Sequence, residues 1–266
     1  MTNGVDTPKI YTGNNVRDAG FPEQDIFLGG VRPDKHNLVV RLHGKGGANA
    51  PKPLLLLAHI DVVEALKSDW SPDLDPFKFL ERDGYFYARG SADDKSMAAI
   101  FVANLIELKT SGYVPDRDLI VALTADEEGG CCNGVRWLIQ NHRELIDAAM
   151  VINEGGGGSL RKDQPFLNSI QATQKNSINF KVTAKNRGGH SSVPRPDNAI
   201  YELAEGLARF SKFSFPVHFN AVTRAFFEKT AAVETPEMGR AMRALLANEN
   251  DASAATVVSR DARYNS

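Results

Sequence analysis

A chain of 266 residues is long enough to bury a sizeable core and to form one large or two smaller domains. Its makeup, 42% hydrophobic and 24% charged with a net charge of −2, is that of an ordinary soluble globular protein, and the near balance of charge gives no support for a nucleic-acid or membrane-surface partner. No apolar run is long enough to span a bilayer. Met1-Thr-Asn-Gly-Val-Asp-Thr-Pro8 lacks the basic-then-apolar pattern of a signal peptide. A cytoplasmic location is therefore expected, or a secreted or periplasmic one if the true N-terminus lies further upstream.

In chain order, residues 37–42 read as a first strand, joined by a Gly/Pro-rich loop to the apolar run Leu54-Leu-Leu-Leu-Ala58. Asp83-Gly84 has the form of a hairpin turn leading into Tyr85-Phe-Tyr87. From Met97 to Leu108, apolar residues recur at Met97, Ile100, Phe101, Leu105 and Leu108, a helical period. Leu119-Ile-Val-Ala-Leu123 and Ala149-Met-Val-Ile152 are further unbroken apolar runs, the pattern of strands buried on both faces of a parallel sheet. Between them a helix is expected behind an Asn133 N-cap, with Val135, Leu138, Ile139 and Ile146 on one face. Cys131 and Cys132 are adjacent, a spacing that rarely meets disulfide geometry, and a local packing role is expected instead.

Beyond about residue 170 the pattern changes. Ser177 to Ala184 alternates, with Ile178, Phe180 and Val182 on one side, as in a half-exposed antiparallel strand. A helix capped by Asp197 follows through Ala199, Leu203, Leu207 and Phe210, and another starts near Thr235-Pro236. The expected fold is α/β, a mostly parallel sheet with helices on both faces over residues 1–170, followed by a smaller α+β domain over residues 171–266.

Four clusters able to carry chemistry lie just beyond apolar runs or at a helix start: His59-Ile-Asp61, Asp93-Asp94, Glu127-Glu128 and Glu154. Taken singly, each has a plain reading: a satisfied histidine at a strand end, a helix cap, a solvated acidic loop, a flexible glycine-rich turn. Their positions favour convergence, because an open α/β sheet binds ligands outside the carboxyl ends of its strands. One imidazole with several carboxylates is the donor set of a two-metal hydrolytic centre. Adjacent glutamates can divide labour, one holding a metal while the other takes a proton from water.

The wording of these clusters resembles the co-catalytic zinc exopeptidases and deacylases, the family of carboxypeptidase G, acetylornithine deacetylase, succinyl-diaminopimelate desuccinylase and aminoacylase. The matching text is Leu57-Ala-His-Ile-Asp61, Ala88-Arg-Gly-Ser-Ala-Asp-Asp-Lys95, Thr124-Ala-Asp-Glu-Glu-Gly129, Asn153-Glu-Gly155 and Gly188-Gly-His-Ser-Ser192. The resemblance implies two zinc ions (or Co2+ or Mn2+), with His59 and Glu154 on one, Glu128 on the other and Asp93 bridging through a segment whose bond to Asp94 is cis in the family. It further implies that Asp61 orients His59, that Glu127 is the general base and then the acid, and that His190 of a lid domain stabilises the oxyanion. A peptide or N-acyl amino acid substrate and a homodimer formed through the lid also follow from it. The chain departs from the family in its last zinc ligand, a histidine near the C-terminus, since none of its six histidines lies beyond His218. It reads as the front portion of a longer enzyme, with both the catalytic and the lid domain incomplete. The expected activity is metal-dependent cleavage of a peptide or N-acyl amide bond. The rivals are an inactive truncated relative, a peptide-terminus binding module and, last for want of a basic cluster, a metal-dependent phosphoesterase.

Overall fold

The structure, a computed structural model, describes residues 13–46, 50–172, 174, 178–190 and 192–264. The chain divides into two compact units, Met1–Glu154 and Gly155–Ser266. The N-terminal octapeptide, Ser177 and Ser191, which entered the sequence reading, lie outside the described residues.

The first unit is built on a five-stranded sheet of β1 (Ile26–Arg32), β2 (Lys35–Leu42), β3 (Leu54–His59), β6 (Leu119–Thr124) and β7 (Met150–Ile152), in the order β1-β2-β6-β3-β7. β3 runs parallel to both β6 and β7, while β2 pairs antiparallel with β6 and β1 antiparallel with β2. Strands β4 (Leu80–Arg82) and β5 (Tyr85–Tyr87) form a separate hairpin whose turn residues Asp83 and Gly84 both take positive φ, 54° and 78°. That is the conformation for which Asp-Gly is suited. Helix α1 (Lys95–Thr110) crosses from the hairpin to β6, and α2 (Gly134–Asn141) and α3 (Arg143–Ile146) lead from β6 to β7.

Alternation along the strands assigns each sheet face its own core. Leu38, Val40, Ala58, Val121 and Leu123 pack with Ala98, Val102 and Leu105 of α1. Val39, Leu55, Ile120 and Ala122 pack with Leu138 of α2, and Trp137, Leu145 and Ile146 close the edge of that layer. The expected α/β sheet with helices on both faces is therefore present, its parallel part being β6-β3-β7 and its antiparallel part the added β1-β2 edge. Three details differ from expectation. The helix behind Asn133 is two helices, broken at His142, whose φ of −146° and ψ of 43° leave the helical region. The run at 149–152 is an edge strand, exposed at all three positions, because only β3 pairs with it and only over three residues. The sulfurs of Cys131 and Cys132 are paired as a disulfide rather than merely packed, although their Cα atoms are only 3.8 Å apart, the separation of any trans-linked neighbours.

The second unit holds a hairpin of β8 (Gly157–Arg161) and β9 (Gln164–Ser169) and four helices, α4 (Ala199–Phe210), α5 (Ala221–Thr230), α6 (Pro236–Ala247) and α7 (Ala252–Val258). Its core gathers Ala231, Ala241, Met242, Leu245, Ala254, Val258 and Tyr264. Thr235 caps α6 by accepting the Met238 N–H, with Pro236 at the first helical position, as the sequence suggests. The cap of α4 is Asn198, which accepts the Ile200 N–H, whereas Asp197 is held by the guanidinium of Arg195, two residues before it. Residues 178–184 form no strand: Ile178, Phe180 and Val182 are 70%, 84% and 64% exposed. Alternation specifies a strand only where a neighbouring edge and an apolar layer receive it, and no described residue pairs with this segment.

Candidate metal centre

β3 ends at His59, a residue only 3% exposed. Its backbone N–H donates to Asp94 Oδ2 at 3.3 Å, and its Nε2 lies 2.9 Å from Asp93 Oδ1 and 3.6 Å from Glu154 Oε2. Asp93 and Asp94 precede α1 and are joined by a cis peptide bond. Glu154 follows β7, the strand beside β3, so parallel pairing delivers both residues to the same sheet edge. The other parallel neighbour, β6, delivers Glu127 and Glu128 three and four residues beyond its end. Two sets of donor atoms come within 4.8 Å of one another: His59, Asp93 and Glu128, and His59, Glu127 and Glu154. All four clusters singled out in the sequence thus meet at one place.

Asp61 serves this place in two ways. Its backbone oxygen lies 3.1 Å from His59 Nδ1 and its carboxylate 3.6 Å from the same atom. The carboxylate also accepts the N–H groups of Glu127 and Glu128, at 3.0 and 2.9 Å, so it ties the glutamate loop to the imidazole. His190 belongs to the second unit, where its Nδ1 lies 2.7 Å from Ser192 Oγ and accepts the Ser192 N–H.

The electrostatics are those of a site short of positive charge. Burial opposes ionisation of His59, but the bond to Asp93 and the Asp61 and Glu154 charges outweigh it and hold the imidazole above its ordinary range. Burial, then the charges of Asp93 and Glu127, push the Glu128 carboxyl up. Glu154 is pushed up by burial and by Asp93, Asp94 and Glu128, against the pull of His59. Burial likewise raises Asp94, although it accepts the His59 N–H. Carboxylates that raise one another's pKa around an imidazole suit a divalent cation, which would neutralise them. The donor set of one nitrogen and several oxygens suits zinc, cobalt or manganese.

Sequence reasoning missed the residues that hold the glutamate loop. Asn37 of β2, fully buried, accepts the Ala125 N–H through Oδ1 and donates through Nδ2 to the Gly29 carbonyl. Asp126, 2% exposed and at a φ of 63°, accepts Lys35 Nζ at 2.5 Å and the Cys132 N–H at 2.6 Å. Lys95 Nζ donates to the Ile60 carbonyl between His59 and Asp61 at 2.6 Å. A polar Asn37 directly before the apolar Leu38-Val-Val40 run was the visible signal; Lys35 gave none.

The sequence matches Peptidase family M20/M25/M40 over residues 55–263. It is 33% identical over 184 residues to the N-fatty-acyl-amino acid synthase/hydrolase PM20D1 of Bos taurus, covering 66% of this chain and 36% of that protein. It is 29% identical over 191 residues to the succinyl-diaminopimelate desuccinylase of Rickettsia typhi, covering 71% of this chain and 47% of that one. Among solved structures it is similar to the M20 family metallo-carboxypeptidase Sso-CP2 from Sulfolobus solfataricus, with a TM-score of 0.44, 22% identity, and coverage of 58% of this chain and 33% of that one. Human carnosine dipeptidase 1 gives a TM-score of 0.45 at 13% identity, over 57% of this chain and 34% of that one. The chain spans 36% and 47% of the length of the two curated relatives. With four-fifths of its sequence inside the matched range (209 of 266 residues, counting 55 through 263), the chain belongs to Peptidase family M20/M25/M40.

Proposed function

We propose that this chain carries the reacting face of a metal-dependent hydrolase that cleaves a peptide or N-acyl amide bond next to a free carboxylate. The observation that carries the reading is the meeting of His59, Asp93, Glu127, Glu128 and Glu154 at one sheet edge, in two sets that share His59 (with Asp93 and Glu128, and with Glu127 and Glu154) and whose donor atoms lie within 4.8 Å inside each set. Family membership and relatives named as an acyl-amino acid hydrolase and a desuccinylase support the same chemistry. His59, Asp93 and Glu154 would hold one metal, and Asp93 and Glu128 a second. Bound zinc supplies Lewis acidity and lowers the pKa of water to about 7.

The chain's own residues do the rest. Glu127 takes the proton of the attacking water and returns it to the leaving nitrogen. Asp61 fixes the imidazole of His59 and, through the N–H groups of Glu127 and Glu128, the distance between base and ligands. His190 donates to the developing oxyanion. Residues 1–170 form the catalytic domain and residues 171–266 the lid, and the lid pairs two copies of the chain. The exposure of Ile200, Tyr201, Leu207 and Phe210 on α4 supports that pairing.

The test is turnover of N-acyl amino acids and dipeptides before and after chelation, with Glu127→Ala beside the parent. Zinc should restore the chelated parent, and the variant should lose about 10^2–10^4-fold in kcat. Turnover that survives chelation, or a variant as active as the parent, contradicts the reading.

A further inference from the structure

The loop Asp126–Cys132 carries both glutamates of the centre and is held at several points. Asp61 accepts the N–H groups of Glu127 and Glu128, the buried Asp126 carboxylate binds Lys35 Nζ and the Cys132 N–H, and Asn133 caps α2 immediately afterwards. Cys131 and Cys132 stand at the closing end of this loop with their sulfurs paired. Cys131 is exposed, whereas Cys132 is 8% exposed and its amide is one of the two donors on Asp126. The chemistry proposed above uses neither sulfur. Asp126 and the two sulfurs also come within metal-ligand reach of one another, but the Asp126 oxygens are taken by Lys35 and Cys132, which leaves that group without a free carboxylate.

We propose that Cys131–Cys132 is a reversible modification site that exchanges with a low-molecular-weight disulfide of the glutathione class and thereby sets how firmly the glutamate loop is held. The proposal rests on the hydrolase reading only for its effect on turnover. Starting from the dithiol, the sulfur of the exposed Cys131 attacks the small disulfide, forming a mixed disulfide and releasing one small thiol. The neighbouring Cys132 sulfur then displaces the second small thiol and closes the Cys131–Cys132 bond. Two protein thiols are oxidised and one small disulfide is reduced to two thiols, which carry away both protons. The closed ring fixes the peptide between the cysteines, and with it the Cys132 amide that anchors Asp126. Opening the ring frees that peptide and loosens the segment from Asp126 to Cys132.

The test compares the full chain after dithiothreitol and after oxidised glutathione, read first by thiol alkylation and intact mass. The reduced chain should alkylate twice, and the oxidised chain not at all, with no glutathione retained. Cys132→Ser should instead keep one glutathione on Cys131. Hydrogen exchange at the Glu127, Glu128 and Cys132 amides should be roughly fivefold faster in the reduced form, the change expected for loosening one hydrogen bond. Glutathione retained on the parent chain, or thiols untouched by the oxidant, overturns the exchange site. Equal or slower exchange in the reduced form overturns the link to the loop. Turnover should differ between the two forms of the parent and not respond to oxidant in Cys131→Ser; equal turnover overturns the control of catalysis. Should neither form turn over, the hydrolase reading fails, while alkylation and amide exchange still decide this proposal.

Discussion

Asp126 is the residue on which the glutamates depend without being one of them. Burial alone would raise its carboxyl, but the Lys35 ammonium and the Cys132 amide hold it below the usual carboxylate range. The backbone there is left-handed, a conformation that costs an aspartate less than most residues, and it turns the chain so that Glu127 and Glu128 face Asp61. Lys35→Met removes the cation and leaves the carboxylate nearly buried. With Lys35 itself partly solvated, the expected loss is about 1–3 kcal/mol in thermal or denaturant unfolding of the first unit. The loss should shrink as the pH falls and Asp126 takes up a proton. An unchanged midpoint at neutral pH would show that the ion pair does not hold the loop. Little of this was legible beforehand: Asp126 reads as one more acid beside two others, and only folding sets it against Lys35 of β2, 91 positions earlier in the chain.

At the scale of elements, the parallel pairing of β7, β3 and β6 does the work of assembly, since it brings Glu154, His59 and the glutamate loop to one edge. Behind that edge α2 begins very close to β2. Gly134 donates its N–H to the Ala125 carbonyl, and a Cβ at Gly134 would collide with Asn37 Oδ1. Gly134→Ala should therefore lower stability by about 1–3 kcal/mol, as overpacking does, and should also weaken zinc binding by displacing the loop. A variant of parental stability would show that α2 can shift without cost. β3, β6 and α1 were legible because their apolar runs match what they bury. The segment 178–184 was not, because its alternation describes a surface that no described element covers. His142 shows a third case: nothing in Gln140-Asn-His-Arg143 marks a break, yet the ring packs on Phe27 and Trp137 with centroids 4.7 and 4.9 Å away, and the helix stops there.

For the whole molecule, the charge of the centre links metal, pH and stability. His59, Glu128 and Glu154 all have raised pKa values. In the metal-free chain each contributes stability that is present below its ordinary pKa and lost as pH rises through the raised value. Metal binding needs these groups deprotonated, so it opposes that loss. The rise in melting temperature on adding zinc should therefore grow between about pH 5 and about pH 8, and calorimetry should register proton release that is largest near the lower end. A zinc-induced shift independent of pH would place the metal elsewhere. Among the described residues no helix is long and apolar enough to cross a membrane.

The central claim is that His59 holds metal while Glu127, whose carboxylate lies within 4.8 Å of a His59 ring nitrogen, holds none and serves as the base. Zinc content after reconstitution and desalting, measured side by side for the parent, His59→Ala and Glu127→Ala, separates these roles without relying on turnover. The account predicts that His59→Ala loses bound zinc and that Glu127→Ala keeps the parental amount. Zinc retained by His59→Ala, or lost from Glu127→Ala, would contradict it.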